Sequence, residues 1–175
     1  EPNPHVFKVL EANARLNPGI TNIVPLNFAA TAYDGEFTFG SGDPSYGNGG
    51  IVGFTHNQSR NVRFHLKVNG KNLETYLRQN YADKLSKLTL IKVDAEGYDK
   101  EILKTLAGIV KQFKPTLITE CFGPSTAEEK KELHNLLVGF GYEVYRLQDF
   151  LGTAPEKIDH FDGKRTFDVL ALPKS

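Results

Sequence analysis

Asp94, Glu96 and Glu120 are the residues of this 175-residue chain whose type and spacing could do chemistry. Asp94 and Glu96 are two apart, so they share a face if the strand before them continues through both. Glu120 closes a second apolar run, so all three carboxylates can converge at one edge of a sheet. Carboxylates placed there can take a proton from a substrate hydroxyl or orient that hydroxyl for attack. They also suit Mg²⁺ as hard oxygen ligands, but nothing else in the sequence asks for a metal. The histidines His5, His56, His65, His134 and His160 show no metal-ligand spacing. Each carboxylate has an ordinary alternative. Glu96 would equally serve a helix N-terminus by facing the dipole and capping free N–H groups. Asp94 is the stronger candidate, because a buried strand end rarely keeps a charge without a partner.

The elements that must position these residues are legible in Leu88–Leu106. Leu88–Val93 is a short apolar run that reads as a buried strand of a parallel sheet. Asp94, Glu96 and Gly97 follow at its end, and Tyr98–Leu106 returns to helical spacing with Ile102, Leu103 and Leu106 on one face. Gly97 lets the turn pass close to a ligand. Strand, acidic turn and helix in that order mark the carboxyl edge of an open α/β sheet, where ligands of such sheets bind. Thr116–Cys121 reads as the next buried strand, and Cys121 as a buried, inert thiol.

The flanking chain supplies the rest of an α/β fold. Asn3 as N-cap and Pro4 at the first position open a helix over Pro4–Asn17, stopped by Pro18 and Gly19. Asn22–Ala30 reads as a strand with its core positions in Ile23–Phe28. Gly35–Gly40 and Arg60–Val68 alternate like half-exposed strands and are expected to pair antiparallel through Glu36–Phe39. The glycine-rich Gly40–Gly53 between them is a solvated connection or a mobile flap over a pocket, with His56 and Arg60 beside it. It lacks the ending of a phosphate-binding P-loop. Asn72–Gln79 is a short helix, and Thr126 caps another over Ala127–Phe140. Tyr142–Leu147 and Phe167–Leu172 close the chain as a strand pair.

Composition bounds the function classes. Hydrophobic residues make up 39% and charged residues 24%, the balance of an ordinary globular domain with a sizeable core. Lysine plus arginine equal aspartate plus glutamate at 21 each, so no global field recruits nucleic acid or an anionic membrane. A single cysteine excludes an internal disulfide and fits a reducing, cytoplasmic setting. No run is apolar enough to span a bilayer.

Three segments resemble one family. KVDAEGYDKEIL (92–103) is similar to the IKxDxEGxExxxL signature of FkbM-type methyltransferases, EPNPHVFKVLEANARLN (1–17) to their EPxPxxFxxLxxNxxLN segment, and FAATAYDGEFTF (28–39) to their AxxxxxGExxF segment. Order and rough spacing agree over most of the chain. The resemblance implies a Rossmann-like class I fold: a mostly parallel sheet with a terminal antiparallel hairpin and a β-hairpin insertion at about 35–68. It implies S-adenosyl-L-methionine (SAM) as cofactor and methyl transfer to an oxygen or nitrogen, with a small-molecule, sugar or natural-product hydroxyl as the expected acceptor. SAM's sulfonium makes methyl a good electrophile, so the protein supplies positioning and proton removal. Asp94, Glu96 and Glu120 would then hold the SAM amino group or serve the acceptor hydroxyl.

The resemblance places Glu1 at the end of the family's second strand. An acidic residue there accepts hydrogen bonds from ribose hydroxyls, although a solvated carboxylate at the chain's start is the plain alternative. It also carries the adenine-flanking role to Asn27, Phe28 and Ala29, of which Ala29 fits best, with core packing as its alternative. The chain contains no methionine and opens on Glu-Pro-Asn-Pro. The family's first strand, glycine-rich SAM loop and first helix are therefore expected upstream, and one N-terminally incomplete methyltransferase domain spans residues 1–175. Two rivals stay open. One is a nicotinamide-dependent oxidoreductase on a related sheet, against which the terminal hairpin counts. The other is a non-catalytic binding remnant of the SAM fold.

Overall fold

The computed structural model describes residues 1–43, 49–53 and 62–174. The chain divides into two compact units, Glu1–Asn72 and Leu73–Ser175.

In the first unit, helix α1 runs Pro4–Ala14. Its start is dictated locally: the Asn3 side chain accepts from the His5 N–H at 2.9 Å, and Pro4 occupies a position whose N–H would have no helical acceptor. The helix stops three residues short of the expected Asn17, because a residue before proline avoids the helical region and Pro18 cannot extend it. Four strands follow: β1 (Ala29–Thr31), β2 (Gly35–Ser41), β3 (Gly49–Ile51) and β4 (Phe64–Asn72), in the spatial order β1-β4-β2-β3. The expected antiparallel pair is present, with Phe37 opposite Val68 and Phe39 opposite Leu66. Ala29, Phe37, Phe39, Ile51 and Val68 pack as the core of this sheet.

Two strand expectations need correction. Asn22–Phe28 forms no ladder, and Ile23 and Val24 are about half exposed. Pro25 lacks the N–H a ladder needs. Leu26 and Asn27 are instead held by the chain's first residues, through a Glu1 N to Leu26 O bond of 3.1 Å and the Asn27 amide donating to Glu1 O at 2.9 Å. Inside the glycine-rich connection, Gly49–Ile51 is a strand rather than loop. Its two glycines hide it, since glycine carries no side chain to show alternation. The middle of that connection, and with it His56 and Arg60, lies outside the described residues.

The second unit opens with α2 (Leu73–Asn80) and a 3₁₀ turn at Leu85–Lys87, then β5 (Leu90–Val93), α3 (Asp99–Thr105), α4 (Ala107–Phe113) and β6 (Thr116–Cys121). Helix α5 (Ala127–Gly139), β7 (Tyr142–Leu147), the two-residue β8 (Glu156–Lys157) and β9 (Phe167–Pro173) complete it. Thr126 caps α5 through a full capping box with Glu129. The expected single helix Tyr98–Leu106 is α3 alone. Beyond it the Glu74 carboxylate from α2 accepts from Gly108 N and Ile109 N, starting α4 as a separate helix.

The sheet order is β5-β6-β9-β7-β8. Only β5–β6 is a parallel ladder in this sheet. β9 lies between β6 and β7 and is antiparallel to both, so β5, β6 and β7 run in one direction while every ladder that β9 makes is antiparallel. Over the described residues the sheets are thus mixed, with two parallel and five antiparallel ladders. The mostly parallel sheet expected from the sequence is reduced to those two ladders, whereas the terminal antiparallel hairpin is present as β7–β9. Leu103, Leu106, Ile109, Val110, Leu117, Leu137, Tyr142, Val169 and Ala171 are almost wholly buried and form the core. The Tyr142 hydroxyl donates to Pro115 O at 2.7 Å. β5 is not the buried strand its apolar run suggests. It pairs only with β6 among the described residues, and Leu90 is half exposed while Val93 is buried. Among the described residues no helix is long and apolar enough to cross a membrane.

Candidate active site

Asp94, Glu96 and Glu120 come together at the carboxyl ends of β5 and β6, but no strand runs through Asp94 and Glu96: β5 ends at Val93, and the turn after it brings them in. The turn between β5 and α3 reverses through two successive left-handed residues, Glu96 (φ 51°) and Gly97 (φ 97°). Glycine tolerates that conformation and glutamate resists it, so another group must hold the turn. That group is Asp99. Its carboxylate accepts from Ala95 N and Gly97 N at 3.3 Å each, and from the Thr119 hydroxyl at 3.1 Å and Glu120 N at 3.2 Å on β6. Asp99 thereby fastens the turn to the neighbouring strand. It is 1% exposed, and burial raises its carboxyl above the usual range against the opposing pull of those hydrogen bonds. Ala95 N and Gly97 N precede α3, whose N-cap is Tyr98 with no side-chain cap bond, so the capping expected of Glu96 is not among the hydrogen bonds of the described residues.

Glu120 sits in the middle of this charge. On β9, Asp168 stands directly opposite it in the ladder, near enough for like charges to repel. Burial first, then the charges of Asp94, Asp99, Glu96 and Asp168, push the Glu120 carboxyl from the ordinary 4.5 up to about 7. Its Oε2 is buried with no hydrogen-bond partner among the described residues. Buried carboxylate oxygens ordinarily find donors, so this one is available to a ligand or a proton. Asp94 differs from its expectation: it is half exposed and takes the Lys92 ammonium at 2.6 Å, a bond that raises the lysine's pKa. The expected unpartnered charge at the strand end is Glu120's, not Asp94's.

The first unit holds the remaining candidates. The Glu1 Oε1 accepts from Asn3 N at 2.7 Å, and the Asn27 amide donates to Glu1 O and Pro2 O. Asn27 therefore fixes the backbone that carries Glu1. Phe28 is half-buried, and Ala29 is 6% exposed within the sheet core.

Sequence reasoning passed over Asp99 and Asp168. The signal for Asp99 is its place: an acid two residues after Gly97 at a helix start can reach back into the turn. Asp168 could have been found by pairing Phe167–Leu172 with Thr116–Cys121 and asking what stands opposite Glu120. Cys121 is fully buried and burial pushes its thiol up to about 11, as expected of an inert thiol. His134 is half-buried against Phe161, edge-on at 5.2 Å. Among the described residues no group of three or more histidine, cysteine, aspartate and glutamate side chains is arranged to hold a metal ion.

Residues 1–147 match a family model described as the methyltransferase FkbM domain. No curated protein and no solved structure gave a significant match.

Proposed function

The chain belongs to the family of FkbM methyltransferase domains, and we propose that it transfers a methyl group from SAM to a hydroxyl of a small molecule or sugar. The observation that carries the reading is Glu120, a carboxyl with a buried, unpartnered oxygen and a pKa of about 7. A general base works best when its pKa lies near the operating pH. Glu120 therefore takes the proton released as the acceptor oxygen attacks, and Asp94 and Glu96 orient that hydroxyl or hold a cationic amino group.

The donor set fits the cofactor. SAM carries a sulfonium and an ammonium, and Glu120 with the four carboxylates around it has Lys92, bound to Asp94, beside it. Such an edge attracts cations. When bound, SAM supplies a methyl group activated by its positive sulfur. The protein's part is to hold the acceptor in line, exclude water and accept one proton at Glu120. We assign the ribose contact to Glu1 and the adenine side to Phe28 and Ala29, with Asn27 acting through its hold on Glu1. Residues 1–175 are read as one methyltransferase domain, with residues 35–68 as an insertion that bears on acceptor choice.

Calorimetric titration with SAM, and separately with NAD, tests this. Micromolar binding of SAM that weakens in Glu1→Ala, with no binding of NAD, is the expected result. Binding of NAD alone would overturn the reading in favour of an oxidoreductase. Absence of both would leave a non-catalytic domain.

A further inference from the structure

We propose that a second site in the Leu73–Ser175 unit binds an oxyanion, phosphate or carboxylate, carried by the methyl acceptor; its assignment to the acceptor rests on the methyltransferase reading. The site is a cavity of about 610 Å³ between the turn that joins β6 to α5 and the loop that precedes β9, with Gly123, Ser125, Lys130, Phe161, Asp162 and Lys164 in its wall.

Lys130 is the reason to expect an anion. It is 5% exposed, and a buried ammonium ordinarily meets a carboxylate. Its Nζ instead donates to two neutral carbonyls, Gly123 O at 3.0 Å and Gly163 O at 2.7 Å. An ammonium has three donors, and among the described residues no third acceptor and no carboxylate is bonded to this one. The acid in the cavity wall does not supply the missing charge. Asp162 is turned to Arg146 at 3.3 Å and to His160 at 3.9 Å. Lys164 adds a second cation to the same wall. On α5, the Glu129 carboxylate is spent in the capping box with Thr126.

The two loops are fastened to each other beside Lys130. Gly123 N donates to the Thr166 hydroxyl at 2.9 Å, and a Cβ on Gly123 would lie 2.5 Å from Lys164 O and 2.8 Å from Thr166 N. Only glycine lets the two loops close this tightly around Lys130. Phe161 is held edge-on between His134 and Phe167 and gives the cavity an apolar side. An apolar wall beside a cationic one suits a sugar or small ring bearing a single acidic group. The site begins three residues beyond Glu120, so the chain sets a cationic recess next to an acidic edge. A positively charged donor and a negatively charged acceptor would be sorted to their own places by charge alone.

The test titrates the ¹⁵N-labelled full chain with glucose 6-phosphate, glucuronate and glucose, followed by amide shifts. The two acidic sugars are expected to shift amides in 123–130 and 161–164, and glucose is not. The tighter of the two assigns phosphate or carboxylate. Lys164→Gln removes an exposed charge and weakens binding about three- to fivefold. Lys130→Met removes a buried, charge-assisted donor and weakens it more than about tenfold. Equal shifts with glucose, no shifts with any sugar, or undiminished binding in both variants would overturn the proposal. If Lys130→Met fails to fold, Lys164→Gln and the loss of binding in salt decide the matter. The titration contains no SAM, so its failure and the failure of SAM binding are separate results.

Discussion

Replacing Glu120 by glutamine removes one titrating proton and keeps the size of the side chain. Glu120 takes up its proton at about 7 in the folded chain and at 4.5 as an ordinary carboxyl. Between those values the unfolded chain is ionised while the folded chain still holds the proton. Stability therefore falls as pH rises from 4.5 to 7 and is level above it. In Glu120→Gln that slope is absent. A tenfold change in proton affinity is about 1.4 kcal/mol, which sets a ceiling of about 3 kcal/mol. Glu120 keeps solvent access, so screening brings the expected value to about 1–2 kcal/mol. The assay is urea denaturation of both proteins from pH 4 to pH 8. The stability difference should shift in favour of Glu120→Gln by about 1–2 kcal/mol across that range. Asp99, whose carboxyl is also raised, slopes the same way in both proteins and cancels in the difference. So does any cost of the new amide, which does not titrate. A difference that stays flat with pH, or that turns against Glu120→Gln at pH 8, would refute the idea that burial and the four neighbouring acids raise this group.

Other perturbations read the same region. Asp99→Ala strands Ala95 N, Gly97 N, the Thr119 hydroxyl and Glu120 N. It should cost about 3 kcal/mol or more in denaturant unfolding. The milder Asp99→Asn removes a charge facing Glu120, so the Glu120 titration followed by carboxyl ¹³C NMR should move down from about 7. Gly97→Ala places a Cβ at φ 97°, 3.0 Å from Phe122, and should lower stability by about 1–3 kcal/mol through backbone strain.

Elements with a chemical marker at their ends were legible in the sequence. Asn3-Pro4 opens α1 and Thr126 opens α5 because capping is decided within a few residues. β6 and β7 fall where their apolar alternation ends. What failed was information that lies in the partner strand. The apolar run of β5 could not say that, among the described residues, only one side would be paired, and Ile23–Phe28 could not say that Pro25 would leave it without a ladder. The site divides in the same way. Asp94, Glu96 and Glu120 were legible as strand-end acids, but the decisive group among them was not. Glu120 differs from Asp94 through its burial and the acid opposite it, neither of which is local in sequence, and through the lysine two residues from Asp94 that pairs with it.

The position of β9 has a consequence for how the second unit is made. β6 and β7 share no ladder, and each is joined to β9 instead. As the chain leaves the ribosome, β5–β6 and β7–β8 can form early, but they remain two separate ribbons with open edges. Only when Phe167–Pro173 emerges do they become one sheet. Edges waiting for a late strand are exposed to wrong pairing, and pairing across a long loop is slow. A chain stopped before Phe167 should therefore yield aggregation-prone ribbons rather than a smaller folded domain. The acidic edge would then be unfinished, because Asp168 arrives with the strand that closes it.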